Sequence, residues 1–565
     1  MDILRVVSSQ LKIRPESEVG EIEKYTISKA TCLRNEPFSF QIAYRLLTNI
    51  RWRAVSICVK CNLPIQAYRV DYASVINTAN DYNEEGYIGS TPGLYPNPLM
   101  PRPAVPETEK LSGERVYEKD TLFHLDADTS FRSLWVSVNP ESEKLQSGIY
   151  EFDITCTALE TGEIVGNTCF TLEIIDALLP EQKTFYTNWF HVDCLCDYYK
   201  VEPYTEEFYK YFKSFIRNAV MHRQNTLLIP AFTPPLDTPP GGERRNVQLV
   251  DIKKERNGYT FNFDKLNRFL KIAQQCGIAY FEHCHLFSQW GAKSAPNIYD
   301  VSGKRLFGWE TDSSSPEYSD FLENYLVELL KFIDANGYNG SFIFHMSDEP
   351  SNDCVEEFLQ ITKRAREILN NQIIADALSH IEFYREGIID TPIAFMPHAD
   401  KFSSECENFW LYYTGGTYAR SCTNRLITNT AARTRVLGLQ LYLYGAKGFL
   451  HWGYNYYYNI LSTGFFDPMV NPCGYENLPG ASFLAYPSPW GALPSVCEKH
   501  MCEAFDDIRA LQLLESHIGK QAVMDTCRKL LGDKIDYTFI PENNNLFNWR
   551  QAINEEIRKH CKKEK

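Results

Sequence analysis

The sequence has no excess of positive charge, no apolar run long enough to cross a bilayer, and no dense framework of cysteines. Its 57 Lys and Arg residues are outnumbered by 72 Asp and Glu, for a formal charge of −15. Nucleic-acid backbones and anionic membranes attract basic surfaces, so neither is the expected partner. No stretch reaches 18 consecutive apolar residues, which excludes a conventional transmembrane helix and membrane insertion through one. The start, Met1-Asp2-Ile3-Leu4-Arg5, lacks the charged leader and apolar core of a secretory signal. The 17 cysteines are odd in number and scattered, unlike those of a small stapled domain. A reducing, cytoplasmic setting is therefore expected. Nucleotide chemistry is also unsupported: no GxGxxG follows the first strand of the alternating region, and no GxxxxGK[ST] loop occurs anywhere.

What is present is a hydrophobic fraction of 44%, ample for packed cores, and a length of 565 residues that predicts two to four domains. Aromatic residues make up 14%, many beside polar residues, glycines and prolines, which suits sugars among other ligands. The first 180 or so residues read as strands. Phe38–Tyr44, Ala54–Val59, Ser133–Val138 and Thr168–Ile174 alternate at period two, and a half-polar sheet needs a partner for its apolar side. Two sheets packed face to face are expected over residues 1–180, with a long irregular insertion at 82–106.

Near residue 185 short strands give way to alternating strand and helix. Eight strand candidates begin at Trp189–Leu195, Thr226–Pro230, Gly277–Glu282, Ser341–Met346, Ile373–Ala377, Pro392–Met396, Phe409–Tyr413 and Gly448–Trp452. Helical periodicity fills most of the gaps, which fits a (β/α)8 barrel over 185–495. Residues 496–565 hold two helical segments, Glu498–His517 and Gln551–Lys565. The fold class is thus multidomain: an N-terminal β-sandwich, a TIM-like barrel and a short C-terminal helical extension.

Barrel chemistry collects where strands end. The fourth candidate ends in Ser347-Asp348-Glu349-Pro350, with Pro350 expected to keep Glu349 extended. Two adjacent carboxylates in one pocket repel, which separates their pKa values into a proton donor and an anion. The same acids could instead cap the helix that starts near Asn352. Spacing alone does not choose between these.

The chain resembles glycoside hydrolase family 123, the β-N-acetylgalactosaminidases, and related bacterial proteins that share its barrel. The resemblance spans roughly residues 20 to 515. It is carried by Ser347-Asp348-Glu349-Pro350, by Gly445-Ala446-Lys447-Gly448-Phe449-Leu450-His451-Trp452-Gly453-Tyr454-Asn455, and by Phe483-Leu484-Ala485-Tyr486-Pro487. The last departs from the family's common Tyr-Pro-Gly form, since Ser488 follows Pro487. The resemblance implies exo-acting, retaining hydrolysis of terminal β-linked N-acetylgalactosamine from a glycan or glycoconjugate. It also implies substrate assistance: Glu349 as acid and base, and Asp348 orienting the sugar's acetamido group. A pairing of Glu349 with Asp193, Glu282 or Asp376, or a non-catalytic carbohydrate-binding role, remains as the alternative.

Substrate-binding candidates follow from strand ends. Strand eight offers Trp452, Tyr454 and Asn455; strand seven offers Trp410 and Tyr412 on one side; His283 and Asp193 end or lie within strands three and one. His283-Cys284-His285 and His191-x-Asp193 are weak as metal signals, and Cys58-x-x-Cys61 stands without a second pair. The hydrolysis expected here requires no cofactor and no metal.

Overall fold

A computed structural model describes residues 3–46, 54–79, 85–101, 121–126, 129–256, 258–289, 291–415, 422–542 and 544–561. The N-terminal strands among these are β1 (Ile3–Ser8), β2 (Lys29–Leu33), β3 (Phe38–Arg45), β4 (Ala54–Lys60), β5 (Ile65–Val75), β6 (Gly93–Pro101), β7 (Thr121–Asp126), β8 (Arg132–Val138), β9 (Gly148–Ala158) and β10 (Ile164–Ile175). They form two five-stranded sheets, ordered β1-β3-β8-β5-β6 and β2-β10-β9-β4-β7. Alternate residues of both sheets bury one shared core. Phe40 of β3 meets Phe152 of β9 and Phe170 of β10, with ring centroids 5.6 and 4.9 Å away. Burying each such ring contributes about 1.5–3 kcal/mol.

The expected irregular insertion contains a strand. Pro96, Pro98 and Pro101 argue against a ladder, yet β6 pairs antiparallel with β5 at the sheet edge, where missing N–H donors cost least. Its outer side is met by the segment before the C-terminal helices, through Leu99 N–H to Pro494 O at 3.0 Å. The described residues 85–92 pack on residues 428–430 and do not line the pocket; 82–84 and 102–106 lie outside the described residues.

The second sheet system is the barrel. Its strands are β11 (Phe185–Asn188), β12 (Thr226–Ile229), β13 (Tyr280–His283), β14 (Phe342–His345), β15 (Ile373–Leu378), β16 (Thr391–Phe395), β17 (Trp410–Tyr412) and β18 (Gly448–His451). All ladders are parallel, in the order β11-β18-β17-β16-β15-β14-β13-β12. Side chains bridge the remaining seam between β11 and β12: Tyr186 N–H donates to Asn225 Oδ1 at 2.8 Å and Gln224 Nε2 to Asn188 O at 3.0 Å. The barrel is therefore nearly closed.

The first strand departs from expectation. It ends at Asn188, and Val192–Tyr199 is a helix. Trp189-Phe190-His191-Val192-Asp193-Cys194-Leu195 is apolar enough to be buried either way, and a short buried run carries no period that separates strand from helix.

Inward-pointing residues stack in layers. Phe185, Tyr280 and Trp410, each the first residue of its strand, fill the lower end, with Phe185 4.6 Å from Tyr280 and 4.9 Å from Trp410 by ring centroid. Gly448 makes room for the indole, since a Cβ there would lie 2.5 Å from Trp410. Thr187 and Glu282 come next, joined by a 2.8 Å hydrogen bond. Trp189, Tyr412 and Leu450 form the upper layer, the floor of an open pocket. Helices Val496–Ile518, Lys520–Leu531 and Asn545–Cys561 follow the barrel; the middle one is absent from the sequence reading. Arg550 ties them to the first sheets through Glu36 at 2.9 Å. Among the described residues no helix is long and apolar enough to cross a membrane.

Candidate active site

The pocket encloses about 150 Å³ and opens to solvent at its mouth. Asp348 and Glu349 both line it, just beyond the end of β14. The backbone at Glu349 is left-handed, with φ of 48°, and so differs from the extended form expected before Pro350. Steric conflict with the proline ring disfavours the right-handed helical region, and the chain leaves the strand by the other turn. Such a conformation is costly for a residue with a side chain and persists only where the surroundings hold it. Tyr412 does so here by donating its hydroxyl to Glu349 Oε1.

Asp348 is half-buried and Glu349 is exposed to the pocket. Burial first, and the neighbouring Glu349 charge second, push the Asp348 carboxyl up to about 8. Beneath the pair, Asp376 of β15 is fully buried and accepts the Ser347 N–H at 2.9 Å. Burial, reinforced by Asp348 and Glu349, holds its carboxyl well above the ordinary range despite that bond. Its Oδ1 has no hydrogen-bond partner among the described residues, which fits a neutral acid.

Of the expected binding residues, Trp452 and Tyr412 reach the pocket; the other five do not. Trp410 points inward like Tyr412, as period two requires, but two residues earlier, which places it in the bottom layer. Tyr454 is buried against the helix Glu206–Met221, donating to Phe215 O at 3.0 Å and accepting from Asn218 Nδ2 at 2.8 Å. His283 turns toward the helix Pro316–Ala335, where its Nε2 meets Tyr325 OH at 2.8 Å.

Asn455 and Asp193 stand one step behind the wall. Asn455 clamps the backbone of His191, accepting its N–H at 2.8 Å and donating to its carbonyl at 3.0 Å. Asp193 accepts two 2.8 Å bonds from Arg244, whose Nη2 lies 3.2 Å from His191 Nδ1. His191 Nε2 is 2.9 Å from Trp452 O. Burial and Arg244 lower the His191 pKa to about 4, so the ring is neutral, accepts from Arg244 and donates to Trp452. The backbone that carries the Trp452 indole is thus held by a chain of polar contacts ending in Asp193.

The sequence did not single out Trp189, His191, Asp237, Gln289, Tyr456 and Tyr475 as binding residues, yet all six line the pocket. Tyr456 directly follows Asn455, the last residue of the strand-eight motif. The remaining signal was Asp237, set between Pro234-Pro235 and Pro239-Pro240 in the long loop after β12. Trp452, Tyr456 and Tyr475 form one aromatic group, with Trp452 centroids 5.2 and 4.7 Å from the two tyrosines.

His285 enters the barrel interior beside Trp189 and His345, with centroids 5.2 and 5.0 Å away, so it diverges from His283. Among the described residues no group of three or more His, Cys, Asp or Glu side chains is arranged to hold a metal ion. The alternative acids are likewise displaced. Glu282 is fully buried between Thr187 and His345, and neither it, Asp193 nor Asp376 lines the pocket.

Comparison with known proteins agrees with this architecture. A solved family 123 glycoside hydrolase from Clostridium perfringens, described for glycolipid glycan hydrolysis, superposes with a TM-score of 0.71 over 98% of this chain and 99% of its own, at 13% identity. A family 39 glycoside hydrolase from Bacteroides cellulosilyticus WH2 reaches a TM-score of only 0.32 at 9% identity, over 88% of this chain and 82% of its own. The search of curated proteins found no match. The family model for the catalytic domain of glycoside hydrolase 123 matches residues 189–514, more than half of the sequence. With its acid pair at a barrel mouth, the chain belongs to glycoside hydrolase family 123.

Proposed function

We propose that the enzyme removes terminal β-linked N-acetylgalactosamine from a glycan or glycoconjugate with retention of configuration, using the substrate's acetamido group as nucleophile. The observation that carries this reading is that Asp348 and Glu349, consecutive in sequence, line one pocket while Asp193, Glu282 and Asp376 do not. Conventional retaining pairs stand on opposite sides of the scissile bond, about 5 Å apart, an awkward placement for neighbours in sequence.

The first step breaks the bond between C1 and the leaving oxygen. Glu349 gives its proton to that oxygen as the acetamido carbonyl oxygen bonds to C1, forming an oxazolinium-like ring. Asp348 accepts the acetamido N–H and stabilises the positive charge that develops there. In the second step Glu349 takes a proton from water, whose oxygen adds to C1 on the face the aglycone left as the bond between C1 and the acetamido oxygen breaks and the acetamido group is restored. Before substrate binds, the raised pKa keeps a proton on Asp348 at neutral pH. An incoming amide N–H favours the Asp348 anion, so binding itself moves the proton toward Glu349.

In this reading the two N-terminal sheets are a β-sandwich domain of residues 1–180, the catalytic barrel spans 185–495 and residues 496–565 brace it. None of the described cysteines is in a disulfide, which supports a reducing, cytoplasmic setting. The test is release of p-nitrophenol from the β-N-acetylgalactosaminide, with the β-N-acetylglucosaminide and the unacetylated β-galactoside in parallel. The galactosaminide is expected to be the best substrate and the galactoside to be inert. Equal turnover of the galactoside would overturn substrate assistance, and preference for the glucosaminide would overturn the sugar assignment.

A further inference from the structure

We infer that Asp237 recognises the hydroxyl groups of the bound sugar and so sets which monosaccharide the pocket accepts. This deepens the proposed function and rests on it only for the identity of the sugar.

Asp237 lines the same pocket as the acid pair and is half-buried. Its backbone is left-handed, with φ of 45°, a conformation that a side-chain-bearing residue adopts only when held there. Its N–H donates to Gln289 Oε1 at 3.1 Å, and its carbonyl accepts from Ser462 Oγ at 2.7 Å. Its Oδ2 accepts from Tyr456 OH at 2.6 Å and from Leu461 N–H at 3.0 Å. Segments far apart in sequence therefore fix one carboxylate on the wall of the pocket. Oδ1 makes neither of these bonds and is not among the sealed, unpaired polar atoms of the described residues, while the Tyr475 hydroxyl comes within hydrogen-bonding reach of the same carboxylate.

A carboxylate that is ionised accepts and never donates, so its complement is a donor such as a sugar hydroxyl. The neighbouring surface fits the rest of that ligand. Tyr456 bonds Asp237 directly and stacks edge-on to Trp452, while Tyr475 feels the Asp237 charge. Apolar ring faces beside a fixed acceptor match the alternation of C–H face and hydroxyl rim that a pyranose presents. A left-handed backbone, a proline-flanked loop and a committed second oxygen all reduce the freedom of the remaining oxygen. A site that is built to bond a hydroxyl discriminates strongly against an analogue that lacks it.

The experiment compares the p-nitrophenyl β-N-acetylgalactosaminide with its 3-, 4- and 6-deoxy analogues on the wild type, Asp237→Asn, Asp237→Ala and Tyr456→Phe, each checked for a native melting transition. In the wild type at least one deoxy analogue should lose on the order of 10–10²-fold in kcat/KM, the value of a hydrogen bond to a charged group. That penalty should nearly vanish in Asp237→Ala and shrink in Asp237→Asn. Tyr456→Phe, which keeps the carboxylate, should raise KM but preserve the pattern. An unchanged penalty in Asp237→Ala would overturn the inference. Loss of all turnover in both Asp237 variants, restored by azide with formation of a glycosyl azide, would also overturn it by making Asp237 a nucleophile. If another glycoside proves to be the substrate, the deoxy series is built on that sugar; if none is cleaved, the same comparison is read as calorimetric affinity for the free deoxy sugars. Failure of the sugar assignment thus stays separate from failure of the inference.

Discussion

Tyr412, the last residue of β17, donates its hydroxyl to Oε1 of Glu349, which leaves β14 in a left-handed turn. The end of one barrel strand thereby holds a pocket carboxyl that follows another. Tyr412→Phe should lower kcat/KM by about 10–10²-fold, the range for a hydrogen bond to a charged group, with little change in melting temperature. Steady-state kinetics beside a thermal melt check this; unchanged kinetics would show that the backbone holds Glu349 unaided.

The two adjacent acids should fail differently. Glu349→Gln should cost about 10²–10⁴-fold on a substrate with a poor leaving group and much less in bond cleavage on an activated aryl glycoside. Asp348→Asn should slow both, because it removes charge from the acetamido attack rather than from departure of the aglycone. A Glu349→Gln enzyme with full turnover of the poor substrate would remove Glu349 as the acid.

Asp348 links the site to pH. With its carboxyl raised to about 8, the pocket loses a proton near that pH, and kcat/KM should fall on the alkaline side there. Its folded pKa exceeds its unfolded value, so the stability it confers is complete below the unfolded pKa, about 3.9, and is lost as pH rises toward about 8. Asp348→Asn should therefore raise the melting temperature relative to wild type more at pH 8 than at pH 4. An equal difference at both values would contradict the raised pKa.

Two tryptophans separate architecture from recognition. Trp410→Ala should cost about 3–5 kcal/mol of stability, because it empties the lower barrel layer. Trp452→Ala should raise KM with a smaller effect on the melt, since that half-buried indole lines the pocket. The reverse assignment of effects, read by denaturant melts and kinetics, would place the binding surface elsewhere.

Much of the frame was legible from local pattern. Seven of the eight barrel strands lie within or overlap the expected runs, because short apolar segments such as Phe342-Ile343-Phe344 can be buried on both faces only inside helix-covered parallel sheets. The first strand and β6 were not, since Val192–Leu195 carries no decisive period and the prolines of β6 are tolerated only at a sheet edge. Within the site, Asp348 and Glu349 were legible because a strand end next to a proline is a local feature. Trp410 was misplaced by two residues along a strand whose facing it shared with Tyr412.

By itself the sequence determined the order of the elements, the position of the acid pair at the end of a barrel strand and the family to which the chain belongs. These follow from apolar spacing and from consecutive residues, which survive without knowledge of neighbours. The tertiary structure alone decided that Asn455 and Asp193 contact the pocket wall through His191, that Tyr412 holds Glu349, and that Asp237 is fixed by Gln289, Tyr456, Leu461 and Ser462. Each of those contacts joins segments far apart in the chain, and which of them meet is set by barrel closure and layer packing, not by any pattern a local stretch of sequence carries.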